Sequence, residues 1–395
     1  MNRKTIGALV AAAAMFGAVA AHANDVKVGV LLPFSGGEAG SGMQVWRGIE
    51  LYMAQHPEAF GPNKVTLIKR DTTGPKPDVT KRLMTELVTN DKVDIFAGFV
   101  FTPNAMVAAE VANKAKVPVV VMNAATAAIT TKSPYVVRTN RTMWHTAYPM
   151  GTYAYEKLGV RKAITLYANY GPGVDAKTAF TTSFTKAGGK VVDDVPLPFP
   201  QMPDFTPYMQ RIKDAKPDAV FIFVPATKWA SGVMKSANDV GLAENKIKVI
   251  GTGDVMQEGE MVNMDDSVVG TITGGNYSPS HNSPENKAFV AAFKARYGAK
   301  SEPDFYTVGG WNGMALIADA IRTLNGKITA DGFMKVAKGW KYDSPQGPVM
   351  IDPETRDEIQ NIYIRKTEKV NGELTNVEID TLPSVKDPWH ELHKK

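Results

Sequence analysis

Polar residues with binding chemistry follow several of the strands that the sequence predicts. Thr102 and Pro103 come shortly after an apolar run that ends at Phe96. A threonine before a proline is typical of a helix N-cap followed by the first helical residue. Free backbone N–H groups at a helix start, together with a hydroxyl, form a site for a carboxylate. The alternative is that Thr102 only caps its own helix.

Small residues follow two other strands and would let a ligand approach the backbone closely. One run comes directly after a strand and consists of Asn123, Ala124, Ala125 and Thr126. The other covers residues 32–37, with Ser41 and Gly42 opening the next helix. Neither contains G-x-G-x-x-G or G-x-x-x-x-G-K-[ST], so a phosphate site is unsupported.

An aromatic and an acidic side chain lie in later loops of the same kind. Tyr170 is in the glycine-rich segment 167–173, and Asp254 follows a strand that ends at Ile250. An aromatic face can close over a ligand, and a carboxylate opposite an anion site would suit an ammonium group. A surface tyrosine and a solvated turn aspartate are equally open interpretations, because loops are normally polar and exposed.

Motifs for catalysis and for metal binding are missing. The sequence contains neither G-x-S-x-G nor H-E-x-x-H. It has no cysteine, which excludes disulfides, thiolate metal sites and a cysteine nucleophile together. His390 and His393 lie near a terminus that we expect to be solvated and frayed. We therefore predict no catalytic residue, no metal site and no cofactor.

Residues 1–23 have the organisation of a secretory signal peptide. Arg3 and Lys4 precede an apolar stretch over residues 6–21, and residues 21–23 form a small-x-small cleavage signal. No later apolar run is long enough to span a bilayer. We expect a periplasmic mature protein.

The charge balance argues against a nucleic-acid partner. The net charge of the whole chain is +5, and it falls to +3 once Arg3 and Lys4 are removed. The sequence has no Lys/Arg-rich block with interleaved aromatic residues.

Short β-branched runs alternate with longer amphipathic stretches, which is typical of βα units and parallel sheets. The first series predicts strands over 26–32, 65–70, 93–96 and 117–122, with helices over 42–55, 77–89 and 103–114. After residues 135–140 the pattern restarts, with strands over 163–167, 219–224 and 247–250 and helices over 146–158, 174–187 and 228–240. The fold class is α/β, with two Rossmann-like lobes built on parallel sheets.

Two further helices, over 284–297 and 308–324, fit the second lobe poorly. They find a place if the chain crosses back to the first lobe near Gly274 and returns near Gly347. We therefore expect lobe 1 to comprise residues 24–139 and 275–347, and lobe 2 to comprise residues 140–274 and 348–395. Three crossovers would join the lobes as a hinge.

In this order and spacing, the segments resemble the branched-chain amino acid binding proteins, a family with the type I periplasmic-binding fold. The resemblance covers nearly the whole mature chain. It is carried by residues 28–36, 71–73, 96–98, 117–118, 123–126, 137–139, 169–171 and 346–349.

The resemblance implies a set of ligand contacts. The carboxylate of the ligand is held at Thr102 and at the loop 123–126, and Tyr170 covers the ligand from the second lobe. Tyr306 approximately matches an aromatic contact from the returning segment, and Ser41 lies near another contact position. Asp254 falls at or within one residue of the acidic group that holds an amino acid's ammonium.

The sequence also departs from that family. The usual disulfide near the binding loop is absent, and a position often held by tyrosine falls at Ala226 or Thr227. A smaller side chain there would enlarge the pocket. Aromatic residues that could lie nearby are Phe101, Trp144 and Trp229. An aromatic or other bulky carboxylate therefore rivals leucine, isoleucine and valine as the ligand.

From the resemblance we expect the solute-binding component of an ABC uptake transporter, which captures a small carboxylate by hinge closure. Its partners would be that ligand and an inner-membrane ABC permease, and the protein would be a monomer. The alternative is a ligand-sensing periplasmic receptor module for a separate signalling partner. A secreted α/β hydrolase is disfavoured by the missing triad signature.

Overall fold

The computed structural model describes residues 24–394. The signal peptide expected over residues 1–23 lies outside the described residues. Within the described part, none of the helices combines the length and the apolar character that a bilayer crossing requires.

The first lobe is built on a five-stranded parallel sheet in the order β2-β1-β3-β4-β5. Its strands are β1 (Asp25–Leu32), β2 (Lys64–Asp71), β3 (Ile95–Gly98), β4 (Val119–Val121) and β5 (Val136–Arg138). The helices between them are α1 (Ala39–Gln55), α2 (Pro77–Glu86) and α3 (Thr102–Ala115). Val28 and Val30 of β1 pack into one core, and Leu31 packs into the core on the other face. The apolar runs are continuous because helices cover the sheet on both sides.

The second lobe contains a larger sheet in the order β11-β12-β13-β10-β9-β8-β6-β7, with β14 paired to β13. Its parallel strands are β6 (Lys162–Ala168), β7 (Lys190–Leu197), β8 (Ala219–Phe223), β9 (Lys248–Thr252) and β10 (Ile272–Gly275). Its antiparallel strands are β11 (Lys341–Ser344), β12 (Gly347–Ile351), β13 (Glu358–Val370) and β14 (Glu373–Val385). The two-lobed α/β prediction is confirmed, although this sheet is mixed and not purely parallel.

Helices flank the second sheet and close its core. They are α4 (Met143–Glu156), α5 (Gly171–Ala187), α6 (Thr206–Ala215), α7 (Lys228–Asp239) and the short α8 (Glu258–Met261). Side chains of α4, α5 and α7 share one buried cluster with those of β6, β8 and β9.

After β10 the chain returns to the first lobe. Helices α9 (Pro284–Tyr297), α10 (Phe305–Thr323) and α11 (Ala330–Ala337) place their apolar faces in the same core as β1. The β12 residues Val349 and Ile351 also pack there, while β12 hydrogen-bonds to β13. The lobe boundaries at 139/140, 274/275 and 347/348 stay a proposal. They place β11 in lobe 1 although it pairs with β12 in the second sheet, and β12 itself packs in the first core.

Residues 391–394 at the C-terminus are exposed, as expected, whereas Asp387 and His390 before them contact the body of the protein. Helix α12 (Pro388–Leu392) follows β14. The imidazole Nε2 of His390 lies 2.9 Å from the buried carboxylate of Asp357. The ring of His393 lies 5.5 Å from that of Trp144 on α4. These contacts hold the terminus against the crossover that follows β5.

Helices α1 and α10 cross in close backbone contact at Gly48. A Cβ at this position would lie 2.0 Å from the carbonyl oxygen of Thr307, whereas a Cβ at Gly40 on the same helix would meet nothing within 4 Å. The backbone of α10 cannot withdraw easily, because the first core holds this helix along its length.

We predict that Gly48→Ala lowers the free energy of unfolding by about 1–3 kcal/mol, the usual effect of overpacking. The matched control Gly40→Ala should leave it unchanged or raise it by up to about 1 kcal/mol, because alanine favours the helix. Urea denaturation of both variants measures the difference. Equal stabilities would contradict the close crossing.

Candidate functional site

A small cavity lies between the lobes, at the carboxyl ends of the parallel strands. In open α/β sheets this is where ligands bind. The empty space between the lining side chains, including its opening to solvent, has a volume of about 350 Å³. Only about 20 Å³ of this space is wide enough to admit the centre of a water molecule. The second volume is enough for one or two waters, so the lobes are nearly closed on each other.

Seven of the eleven residues that the sequence singled out line this cavity. Those from the first lobe's loops are Phe101, Thr102, Asn123 and Ala125. The other three are Tyr170 from the loop after β6, Asp254 from the loop after β9, and Tyr306 from the first turn of α10.

The remaining four do not line the cavity. The hydroxyl of Ser41 donates to the carbonyl of Glu38 at 2.7 Å, and Ala124 is a buried residue of the loop 123–126. Thr126 supports Thr102 through its hydroxyl. Thr227 is the N-cap residue of α7.

The start of α3 differs from the predicted one by one residue, and the difference matters. The helix begins at Thr102, with Phe101 in the N-cap position, and no side chain caps the helix. The hydroxyl of Thr102 instead shares a hydrogen bond of 2.9 Å with that of Thr126. Thr102 therefore does not serve as its own helix cap, and the backbone N–H groups of the first turn keep no side-chain partner.

Two more helices begin at the cavity without a side-chain cap. Helix α5 begins at Gly171 after Tyr170, and α7 begins at Lys228 after Thr227. Pro172 of α5 and Ala226 of the loop before α7 line the cavity. Each helix start carries free N–H groups and about half a positive charge from the helix dipole. Three such starts converge on one space.

A buried ion pair between Arg141 and Asp254 forms part of the cavity wall. The sequence analysis had singled out only Asp254. Arg141 donates through Nη2 to Oδ1 of Asp254 at 2.8 Å, and the side chains are 1% and 8% exposed. The guanidinium lies 3.8 Å from the ring centroid of Phe305. Arg141 is the main residue that the sequence analysis missed. The available signal was a second arginine in the crossover that contains Arg138.

Arg138 fixes the loop that carries Asn123 and Ala125. Its guanidinium donates to the carbonyls of Ala124 at 2.7 Å and Thr126 at 2.8 Å, and it pairs with Asp357 at 2.7 Å. Burial alone would raise the pKa of Asp357, but Arg138 and His390 outweigh it and lower the pKa to about 2. The carboxylate therefore stays charged and keeps Arg138 in place.

Aromatic rings form much of the remaining wall. The Tyr170 ring stacks on that of Phe199 with centroids 3.9 Å apart and planes 8° apart. Burial, with a smaller contribution from Asp254, raises the pKa of Tyr170 and of Tyr306 well above the usual value, so both hydroxyls remain protonated. Of the aromatic residues suggested by the sequence, Phe101 lines the cavity, whereas Trp144 and Trp229 do not.

Among the described residues, Asp357, Asp387 and His390 come close enough to hold a metal ion. Asp357 accepts hydrogen bonds from Arg138 and Thr130 and contacts His390. Asp387 caps α12 through Oδ1, and its Oδ2 is buried without a hydrogen-bond partner among the described residues. The arrangement serves to fix the C-terminal helix on the crossover.

The lobes touch at Gly171, directly beside the cavity. A Cβ at this position would lie 2.4 Å from the hydroxyl oxygen of Thr126 and 3.1 Å from Cγ2 of Thr102. A second cross-lobe contact is the hydrogen bond from the Ala127 N–H to the Asp175 carboxylate, at 2.8 Å. The start of α5 can approach the loop 123–126 this closely because residue 171 has no side chain.

A family model and a curated relative both match nearly the whole described part of the chain. The family model described as periplasmic binding protein matches residues 25–372. The Leu/Ile/Val-binding protein homolog 6 of Brucella suis biovar 1 (strain 1330) is 42% identical over 372 residues, which cover 94% of this chain and 95% of that protein.

Two solved structures are also similar. The solute binding protein of an ABC transporter from Rhodopseudomonas palustris BisB5, in complex with 3,4-dihydroxybenzoic acid, is 45% identical with a TM-score of 0.88, over 92% of this chain and 99% of that one. One from R. palustris HaA2, in complex with p-hydroxybenzoic acid, is 41% identical with a TM-score of 0.89, over 92% and 98%.

We predict that Gly171→Ala holds the lobes apart, because its Cβ would meet the Thr102 and Thr126 side chains. The radius of gyration, about 21 Å for a compact chain of this length, should increase. Gly37→Ala is the control, since its Cβ would meet nothing within 4 Å. Small-angle X-ray scattering measures both. Identical profiles for wild type and Gly171→Ala would contradict the contact.

Proposed function

Because the chain belongs to the periplasmic binding protein family, we propose that it is the solute-binding component of an ABC uptake transporter and that its ligand is an aromatic carboxylate. The observation that carries the ligand class is the convergence of three uncapped helix starts on one cavity. Free N–H groups and helix dipoles there favour an anion.

The cavity suits an aromatic acid better than a branched-chain amino acid. The carboxylate of Asp254, which would hold an ammonium group, is already paired with Arg141. Ala226 leaves room where a larger side chain would fill the cavity, and Phe101, Tyr170 and Tyr306 offer ring surfaces. The R. palustris proteins similar to this chain were solved with hydroxylated benzoic acids, which supports the same ligand class here.

The ligand-binding residues we propose are the seven that line the cavity, with Arg141 added. Thr102 and the N–H groups of the first turn of α3 bind the carboxylate, and the start of α5 covers it from the second lobe. Thr126 orients the Thr102 hydroxyl, and Thr227 lies at the third helix start. Closure is favoured because the ligand contacts both lobes only in the closed state.

The closed form is the state that an inner-membrane permease would recognise. The protein would act in the periplasm as a monomer after removal of residues 1–23, and it would release its ligand chemically unchanged. The proteins similar to this chain are described as binding proteins and transporter components, so the sensory alternative is not favoured.

A thermal-shift and calorimetry panel tests the ligand class. It compares benzoate, 4-hydroxybenzoate and 3,4-dihydroxybenzoate with leucine, isoleucine, valine and phenylalanine. A ligand at 100 times its Kd stabilises the protein by about 2.7 kcal/mol. We expect aromatic acids to do so and aliphatic amino acids not to. Stabilisation by leucine alone would refute the proposal, and mass spectrometry of the recovered ligand would reveal any turnover.

We also predict that Thr102→Val weakens binding of benzoates about tenfold or more, because a hydrogen bond to a charged group contributes about 1.5–3 kcal/mol. Thr102→Ser keeps the hydroxyl and should retain most of the affinity. Thr182→Val, at an exposed position whose hydroxyl bonds only the Thr178 carbonyl, serves as the remote control. Equal calorimetric affinities for the valine and serine variants at position 102 would contradict the carboxylate assignment.

A further inference from the structure

We propose that the Arg141–Asp254 pair is a recognition site for a hydroxyl group on the aromatic ring of the ligand. The inference rests on the proposed function, since it assumes an aromatic carboxylate in the cavity. It adds a specificity element at a position where the resemblance implies an ammonium site.

One hydrogen bond joins Arg141 to Asp254, and one polar atom of each side chain has no hydrogen-bond partner among the described residues. Nη2 of Arg141 bonds Oδ1 of Asp254 at 2.8 Å. Oδ2 of Asp254 and Nε of Arg141 are buried and have no hydrogen-bond partner among the described residues. Both residues line the cavity. The buried carboxylate oxygen needs a hydrogen-bond donor and the buried guanidinium N–H needs an acceptor, and a ligand could supply both.

Neighbouring polar groups do not fill this need. Nη1 of Arg141 has two long contacts of 3.4 Å, with the side-chain oxygens of Asn123 and Asn140. Among the described residues, the hydroxyls of Tyr170 and Tyr306 do not hydrogen-bond to Arg141 or Asp254, although the Asp254 charge contributes to raising the pKa of both tyrosines. The opposite face of the guanidinium is covered by the Phe305 ring. Oδ2 of Asp254 and Nε of Arg141 therefore have no protein partner among the described residues, and a ligand that enters the cavity would supply one.

A hydroxyl matches these two atoms better than other ligand groups. It donates one hydrogen bond, here to Oδ2 of Asp254, and accepts others, here from Nε of Arg141. An ammonium group only donates, and it would be repelled by the guanidinium. A carboxylate only accepts, and it would be repelled by Asp254. Since the pair is neutral overall, it favours a neutral group that can both donate and accept.

The charges around the cavity also orient the ligand. Its carboxylate is excluded from the Asp254 wall by charge and is attracted by the helix starts of α3 and α5. A ring hydroxyl at the other end of the molecule then reaches the pair. A site built to bind a hydroxyl strongly rejects the analogue without it, because its buried polar atoms would be left unpaired.

The first test compares ligands on the wild-type protein and needs no variant. Calorimetry with 4-hydroxybenzoate, benzoate and 4-methylbenzoate separates the hydroxyl from its size, because a methyl group has a similar volume and no hydrogen-bonding capacity. We expect 4-hydroxybenzoate to bind at least tenfold more tightly than either. Equal affinities would overturn the inference, as would tighter binding of 4-(aminomethyl)benzoate, which carries an ammonium group.

The second test removes the acceptor. In Asp254→Asn, and in the neutral double variant Arg141→Gln/Asp254→Asn, the ratio of the affinities for 4-hydroxybenzoate and benzoate should fall to about one, whatever the absolute affinities. Asp193→Asn is the matched control. It removes the ion pair between Asp193 and Arg211 at the surface of the same lobe and should keep the preference for 4-hydroxybenzoate. Retention of the preference in the double variant would overturn the inference.

The outcomes separate the inference from the function on which it rests. If the wild type binds no benzoate of any kind, the proposed function fails. If it binds benzoates without regard to the ring hydroxyl, the proposed function stands and the assignment of the Arg141–Asp254 pair fails.

Discussion

The structure depends on helix N-termini that open on a nearly closed cavity without side-chain caps. Three helices begin there without side-chain caps, at Thr102, Gly171 and Lys228. Backbone N–H groups that are removed from water need an acceptor, and the helix dipoles make a negatively charged one the most favourable. By contrast, α4 and α10 also begin near the cavity, but capping boxes formed by Thr142 and Asp304 close their ends. The uncapped starts therefore select an anion.

The surrounding scaffold keeps this arrangement rigid on each lobe and movable between lobes. Arg138 pairs with the charged Asp357 and donates hydrogen bonds to carbonyl groups of the loop 123–126, which holds the loop in place. Gly48 lets α10, which carries Tyr306, pack tightly on α1. Across the cleft, Gly171 lets the start of α5 approach Thr102 and Thr126 beside the cavity. Capture by hinge closure requires that such contacts form and break as the lobes move.

The sequence predicted the elements that are long, apolar and regularly spaced. Strands β1 to β4 and helices α1, α3, α5, α7 and α9 lie where the pattern put them, within a few residues. The pattern did not predict β7 or the β13–β14 hairpin. β7 and β14 each pair with one strand only and carry many exposed residues, whereas β13 is an interior strand that mixes buried polar and apolar residues. Strand identity there depends on pairing partners that are distant in the chain.

For the site, the post-strand loops were predictable because parallel strands end at one edge of a sheet. The partners of the side chains were not. A sequence cannot distinguish a buried arginine from a solvated one, so Arg141 was missed and Asp254 was interpreted as a free carboxylate. Nor does it reveal that the Thr102 hydroxyl bonds Thr126. The crystal structure of the protein with 4-hydroxybenzoate tests the account most directly. The account predicts the carboxylate against Thr102 and the start of α3, with the ring enclosed between the lobes. A ligand bound outside the cleft, or one whose carboxylate faces Asp254, would contradict it.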